Sequence, residues 1–205
     1  MEFAEAVRRR RMVRAFEERP VDPSTLERIL DLARRAPSAG FTQGARFLVL
    51  CGSAETARFW DATLPRSARD EFPWPGLLRA PVIVLPLASK QAYLDRYAEP
   101  DKGWTDRAEA RWPVPYWHVD AAFSAMTALL AIVDSGLGAL FFGIFQGLDQ
   151  LREAFGIPAE LEPIGALAVG HPAPDRTSQS LLRGRLPYDE MVRFGRWENS
   201  GVNRT

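Results

Sequence analysis

Cysteine is almost absent. Cys51 stands alone in 205 residues, which excludes an internal disulfide, and His118 and His171 are the only histidines, too few soft ligands for a structural zinc site. No metal is expected, and a reducing cytoplasm is the expected setting. No stretch reaches the roughly 18 uninterrupted apolar residues of a membrane span, and the opening MEFAEAVRRRR lacks the apolar core of a signal peptide. The expected protein is soluble, unexported and independent of membranes. Net charge is missing too: 26 basic groups balance 26 acidic ones, which argues against a surface built for duplex nucleic acid. The dinucleotide turn, the Walker lysine loop, HExxH and the G-x-S-x-G elbow are all absent. Ser38 as nucleophile with His118 as base has no spacing to support it.

What is present is unevenly placed. RRRRMVRAF, residues 8–16, holds five arginines in nine positions. Residues 1–50 carry ten basic and seven acidic groups, residues 51–175 ten and sixteen, and residues 176–205 six and three. Two positive ends flank a negative middle, either by chance or because both ends converge on one anion. A chain of this length can bury a substantial core as one domain.

The pattern along the chain is α+β. A first helix is expected over 2–13 and a second over 21–36, with Asp22 as N-cap, Pro23 at the first helical position, and Leu26, Ile29, Leu30 and Ala33 on one face. SAGFTQGA is a loop before the strand RFLVLCG, and a short helix follows over 54–62. PVIVLPLAS is a continuous apolar run suited to a strand covered on both faces. HVDAAFSAMTALLAIVDS, apolar nearly all round, reads as a buried helix closed by Gly136, with Asp120 read as a cap near its start or, alternatively, as a ligand contact. LGALFFGIF and EPIGALAVGHP complete the core strands around a short helix, LDQLREAFG. Residues 98–117, rich in Trp, Pro and charge, read as a mobile excursion, and an extended arm is expected from about 173. Trp104, Trp112, Tyr116 and Trp117 either wall a pocket or cover the core or an interface. The connections favour a central mixed sheet flanked by helices in a single domain over 1–205.

Four segments in order, RRMVRAF at 10–16, APSAGFTQG at 36–44, GLGALFFGIF at 136–145 and RGRLPYDEMV at 183–192, resemble the landmarks of the FMN-dependent nitroreductase family. The resemblance implies an intertwined homodimer that holds FMN. It carries cofactor contact to Arg10, Arg11, Met12 and Arg14 from the first landmark. From the second it takes Pro37, Ser38, Ala39 and Phe41, reaching the flavin from the partner subunit. The strand after the glycines places Phe142, Gly143 and Ile144 against the ring, and Arg183 and Arg185 reach the phosphate. Guanidinium forks suit a phosphate of nearly two negative charges. On a continuous helix Arg10 and Arg14 stand one turn apart, one toward phosphate and one toward the ring edge. Arg8 and Arg9 are read as solvated or paired with Glu2 and Glu5.

The departures from the family pattern are Met12 for Ser, Phe41 for Asn, and Gly44-Ala45 for Pro-Trp. Phe41 either packs at the dimer interface or stacks near the flavin. The implied reaction passes hydride from NADH or NADPH through flavin N5 to a nitroaromatic, quinone or similar small-molecule acceptor, and needs no side-chain acid or base. Alternatives on the same scaffold are a dehalogenase, an azoline-type dehydrogenase, a flavin-fragmenting oxidase, or a non-catalytic flavin or anion binder.

Overall fold

The computed structural model describes residues 1–197. Residues Met1–Asp175 form one compact unit and the chain from Arg176 a second.

In the first unit, β1 (Ala45–Cys51), β2 (Val82–Ser89), β5 (Ala166–Gly170) and β3 (Gly138–Phe142) lie side by side in the order β1-β2-β5-β3, with the short β4 (Leu161–Pro163) also paired to β2. The sheet was expected to be mixed, yet every ladder among the described residues is antiparallel. Among the described residues the one parallel pairing is an isolated bridge between Met12 and Ala139.

Side chains alternate across a strand with period two, and both faces of this sheet are apolar. Ile83, Leu85, Leu87, Ala166 and Ala168 join Phe59, Trp60 and Leu151 in one buried layer. Val82, Val84, Leu167 and Val169 join Leu26, Ile29, Leu129 and Ile132 in the other. The first layer sits under α3 (Gly52–Thr63) and α6 (Leu148–Phe155), the second under α2 (Pro23–Ala33) and α5 (Tyr116–Asp134). This double cover explains why β2 is buried at every position, as its uninterrupted apolar run predicts. Each fully buried Leu, Ile or Val contributes about 1.5–3 kcal/mol.

The helix ends follow their residues. Asp22 accepts from the Ser24 N–H at 3.4 Å and the Ser24 hydroxyl at 2.5 Å, with Pro23 opening α2. At the end of α5, Gly136 takes φ 74°, and the Leu137 N–H reaches back to Ile132 O at 3.0 Å, the paired closure that a left-handed glycine allows. The length and composition of α5 would suit a membrane span, but its inner face packs into the core through Ala121, Ala125, Ala128, Leu129 and Ile132. Its outer face leaves Phe123 and Met126 exposed. A helix not read from the sequence, α4 (Lys90–Ala98), starts where Ser89 caps the Ala92 N–H at 3.3 Å.

Candidate functional site

The arginine-rich segment is not one helix. The first helix, α1 (Phe3–Arg9), stops four residues before its expected end, because Arg10 turns to φ −57°, ψ 118°. The residues after it find backbone partners elsewhere. The Val13 N–H donates to Ala139 O at 2.9 Å, Phe16 N–H to Gly76 O at 3.2 Å, and Glu17 N–H to His171 O at 2.9 Å. Ala173 N–H returns to Ala15 O at 3.0 Å. Glycine makes this approach possible: a Cβ on Gly138 would stand 2.8 Å from Val13 and 2.9 Å from Pro172. Arg10 and Arg14 are therefore not related by a helical turn.

Each residue of the segment has its own surroundings. Met12 packs against both apolar layers, so its thioether closes the sheet edge in place of a hydroxyl. The Arg14 guanidinium lies 5.0 Å from the Trp74 ring centroid and donates to Met12 O at 3.1 Å. Arg9 pairs with Glu5 at 3.0 Å. Arg11 is exposed and, with Arg8 and Arg9, lines a cleft of about 370 Å³. Arg10 differs from all of these: its Nη1 is buried with no hydrogen-bond partner among the described residues. An unmatched buried donor costs about 1–3 kcal/mol, more on a charged group. An anionic ligand or a flavin carbonyl is the chemistry that satisfies it, and in this respect the site fits FMN.

At the end of β3 the Phe142 ring stacks on Trp60, with centroids 5.7 Å apart and planes 11° from parallel, and meets Phe59 edge-on at 6.1 Å. Its side chain belongs to the core. Ile144 also packs on that layer. With the Phe142 and Ile144 side chains committed to that layer, what the end of β3 leaves uncommitted is backbone. A Cβ on Gly143 would meet the Phe145 ring at 2.8 Å, and Phe145 itself is 93% exposed.

The loop from Pro37 is built with strain. Gly40, Phe41 and Gln43 all have positive φ, 63°, 54° and 54°, a region L side chains rarely occupy. Ser38 Oγ accepts from Gln43 N–H at 2.9 Å, and Ala39 O accepts from the Thr42 hydroxyl at 2.6 Å. The Ala39 N–H donates to Asp120 Oδ2 at 2.8 Å, and the same oxygen accepts the Tyr93 hydroxyl at 2.7 Å. Arg96 Nε donates to Gly40 O at 3.0 Å. Burial, reinforced by the Asp120 carboxylate, pushes the Tyr93 phenol far above its ordinary value, so the hydroxyl remains a donor. Asp120 thus does not cap α5, which begins at Tyr116; it anchors a loop. Sequence reasoning missed this trio, although one carboxylate on the inner face of an otherwise apolar helix is a signal that buried donors must meet it. Pro37, Ser38, Thr42, Gln43, Asp120 and Ser124 border a cleft of about 450 Å³ with Arg34 and Arg46 among its other lining residues. Phe41 is 77% exposed.

The stretch read as a mobile excursion is an aromatic hub. Trp112 lies 4.5 Å from Tyr97, 5.5 Å from Trp104, 5.7 Å from Tyr116 and 5.8 Å from Tyr93, centroid to centroid. Arg107 pairs with Asp95, Arg111 with Asp106, Lys90 with Glu109, and Arg96 with Asp101. Of the two sequence readings for these rings, the structure favours cover for the core. His118 Nε2 meets Glu162 Oε2 at 2.7 Å and ties α5 to β4.

In the second unit Arg183 closes a short 3₁₀ turn, Gln179–Arg183. Gly184 follows at φ 69°, and Arg185 is exposed. A helical turn, α7 (Tyr188–Met191), follows within this unit.

The sequence profile described as the Nitroreductase family matches residues 7–171. A protein of Methanothermobacter thermautotrophicus, provisionally named NADH dehydrogenase/NAD(P)H nitroreductase, is 24% identical over 186 residues, 89% of this chain and 83% of the relative. A nitroreductase family protein from Clostridium difficile 630 superposes with a TM-score of 0.70 at 23% identity, covering 96% of this chain and 100% of that one. A provisionally named nitroreductase from Exiguobacterium sibiricum 255-15, solved in complex with FMN, gives 0.74 at 19% identity, covering 95% and 97%. At these identities the two structures testify to a shared fold.

Proposed function

The chain belongs to the nitroreductase family, and on that premise we propose that it is an FMN-dependent oxidoreductase that takes hydride from NADH or NADPH and reduces a nitroaromatic, a quinone or a related electrophile. The observation that carries this reading is the buried, unpartnered Nη1 of Arg10, set within a chain whose family match spans residues 7–171. When bound, FMN supplies the two-electron chemistry. The protein's own residues bind and orient: Arg10 meets the anionic part of the cofactor, and backbone at Phe142, Gly143 and Ile144 faces the ring. The loop bearing Pro37, Ser38, Ala39 and Phe41 is contributed across a homodimer. Arg11, Met12 and Arg14 shape the same end of the site, with Met12 acting through packing. Arg183 and Arg185 are the further phosphate ligands of this reading.

The dimer is supported by exposed apolar side chains. Phe123 and Met126 stand outward on α5, and Phe3 and Val7 on α1, which packs on α5; such surface favours a protein partner. A reducing, cytoplasmic setting suits the exposed thiol of Cys51.

The purified protein is expected to be yellow and to bleach under anaerobic titration with NADH or NADPH. A colourless protein that also refuses added FMN overturns the proposal. Arg185→Ala is expected to weaken FMN binding roughly tenfold to a hundredfold, the effect of losing a charged hydrogen bond; equal affinity removes Arg185 from the site. Light scattering that finds a monomer overturns the shared site. Steady oxygen consumption without nicotinamide would assign a different flavin reaction to the same fold.

A further inference from the structure

We propose that Asp120 is a positioning residue: through the Tyr93 hydroxyl and the Ala39 amide it holds the loop over 38–44 in the shape a ligand meets, so that this wall of the site is ordered before anything binds. The inference rests on the proposed function in placing that loop at a ligand, and it adds the residues that set the loop.

Three observations converge. The first is backbone strain beside an exposed ring. Phe41 and Gln43 both hold φ 54°, yet the Phe41 ring is 77% exposed. A strained backbone that presents an apolar side chain to solvent points to a role in binding.

The second is that the loop is held from beneath by buried groups. Asp120 is 4% exposed and Tyr93 fully buried, and one carboxylate oxygen accepts both the Tyr93 hydroxyl at 2.7 Å and the Ala39 N–H at 2.8 Å. The Tyr93 ring fills the place a Cβ on Gly44 would need, 2.3 Å away, and the Tyr97 ring does the same under Gly40 at 2.8 Å. Those two glycines let the loop lie on the rings. Hydrogen bonds to a charged acceptor are among the stronger ones, and in a buried site they are poorly replaced by water.

The third is that the anchor also lines the cleft. Asp120 and Ser124, one turn apart on α5, border the same cleft of about 450 Å³ as Pro37, Ser38, Thr42 and Gln43. Ser124 is 4% exposed, and no hydrogen bond of its hydroxyl is found among the described residues. The carboxylate that fixes the wall is therefore part of the floor. A site whose wall is already in place spares a ligand the cost of ordering it.

The test uses the full chain and three variants, Tyr93→Phe, Asp120→Asn and Asp120→Ala. Hydrogen exchange across residues 38–44 is measured without cofactor, and FMN affinity by fluorescence titration well below the melting temperature. Tyr93→Phe keeps the ring under Gly44 and removes only the hydroxyl. It should speed exchange in that segment alone and weaken FMN binding by about tenfold, as expected for one lost bond to a charged acceptor. Asp120→Ala should exceed it, and Asp120→Asn, which keeps an acceptor, should restore part of the loss. If Asp120→Ala does not fold, Tyr93→Phe and Asp120→Asn decide on the same readouts. Unchanged exchange over 38–44 in a folded variant overturns the clamp, and so does unchanged FMN affinity beside a lowered melting temperature. Failure of the parent protein to bind FMN instead defeats the proposed function, and the exchange arm still judges the clamp.

Discussion

Residues 8–16 and 98–117 are both rich in charge and largely irregular in backbone, yet they are held in different ways. In the first, backbone does the holding: Val13, Ala15, Phe16 and Glu17 exchange hydrogen bonds with Ala139, Ala173, Gly76 and His171. In the second, backbone hydrogen bonds run to near neighbours, as from Trp104 N–H to Tyr97 O at 2.8 Å, and side chains make the longer ties. Arg107, Arg111 and Lys90 are matched to Asp95, Asp106 and Glu109, while Trp104 and Trp112 pack on Tyr97. The difference decides where a ligand can be met. A segment fixed by its backbone leaves side chains such as Arg10 uncommitted, whereas a segment fixed by side chains has few to offer.

Breaking the side-chain region should have the largest effect. Trp112→Ala removes the ring at the centre of the hub and is expected to destabilise by about 3–5 kcal/mol, read from denaturant midpoints; a loss below about 1 kcal/mol would mean that the rings are incidental cover. The counterpart in the first region is Arg10→Ala, expected to lower FMN affinity by about 1.5–3 kcal/mol with little change in the unfolding midpoint. The reverse pattern, lost stability with affinity intact, would place Arg10 among the structural residues. Gly138→Ala attacks the backbone contact itself. The added methyl crowds Val13 and Pro172, and an overpacking cost of about 1–3 kcal/mol is expected, with FMN affinity falling alongside because the segment bearing Arg10 is displaced. Arg8→Ala should change stability by no more than about 0.5 kcal/mol, since Arg8 is exposed; a larger shift would show that the arginines act as a block.

How legible each part was depends on where its partners lie. The cap of α2, the doubly covered strand β2 and the closing Gly136 were all readable, because Asp22 meets Ser24 and Gly136 closes the helix it follows. The early end of α1 was not. Arginine is a good helix former, and the competing partners, Ala139 on β3 with Gly76 and His171, are distant in sequence. The same holds for the antiparallel sheet, whose pairing joins Gly138 to Gly170 and Ala45 to Ala88. In the site, Arg10 and the loop after Pro37 were marked by motif, whereas Tyr93, Arg96 and Asp120 were not. Their shared task appears only in space, where Tyr93 and Ala39, 27 and 81 positions from Asp120, meet at one of its oxygens and Arg96 reaches Gly40 O.

The amino-acid sequence alone determined the family, the α+β class, the caps and the apolar strands, because these rest on local spacing and on residue types in order. Tertiary structure decided which arginine keeps an unmatched donor, which rings pack together and which carboxylate holds a strained loop. Hydrogen bonding and desolvation depend on what lies within a few ångströms in space, and separation along the chain does not specify that.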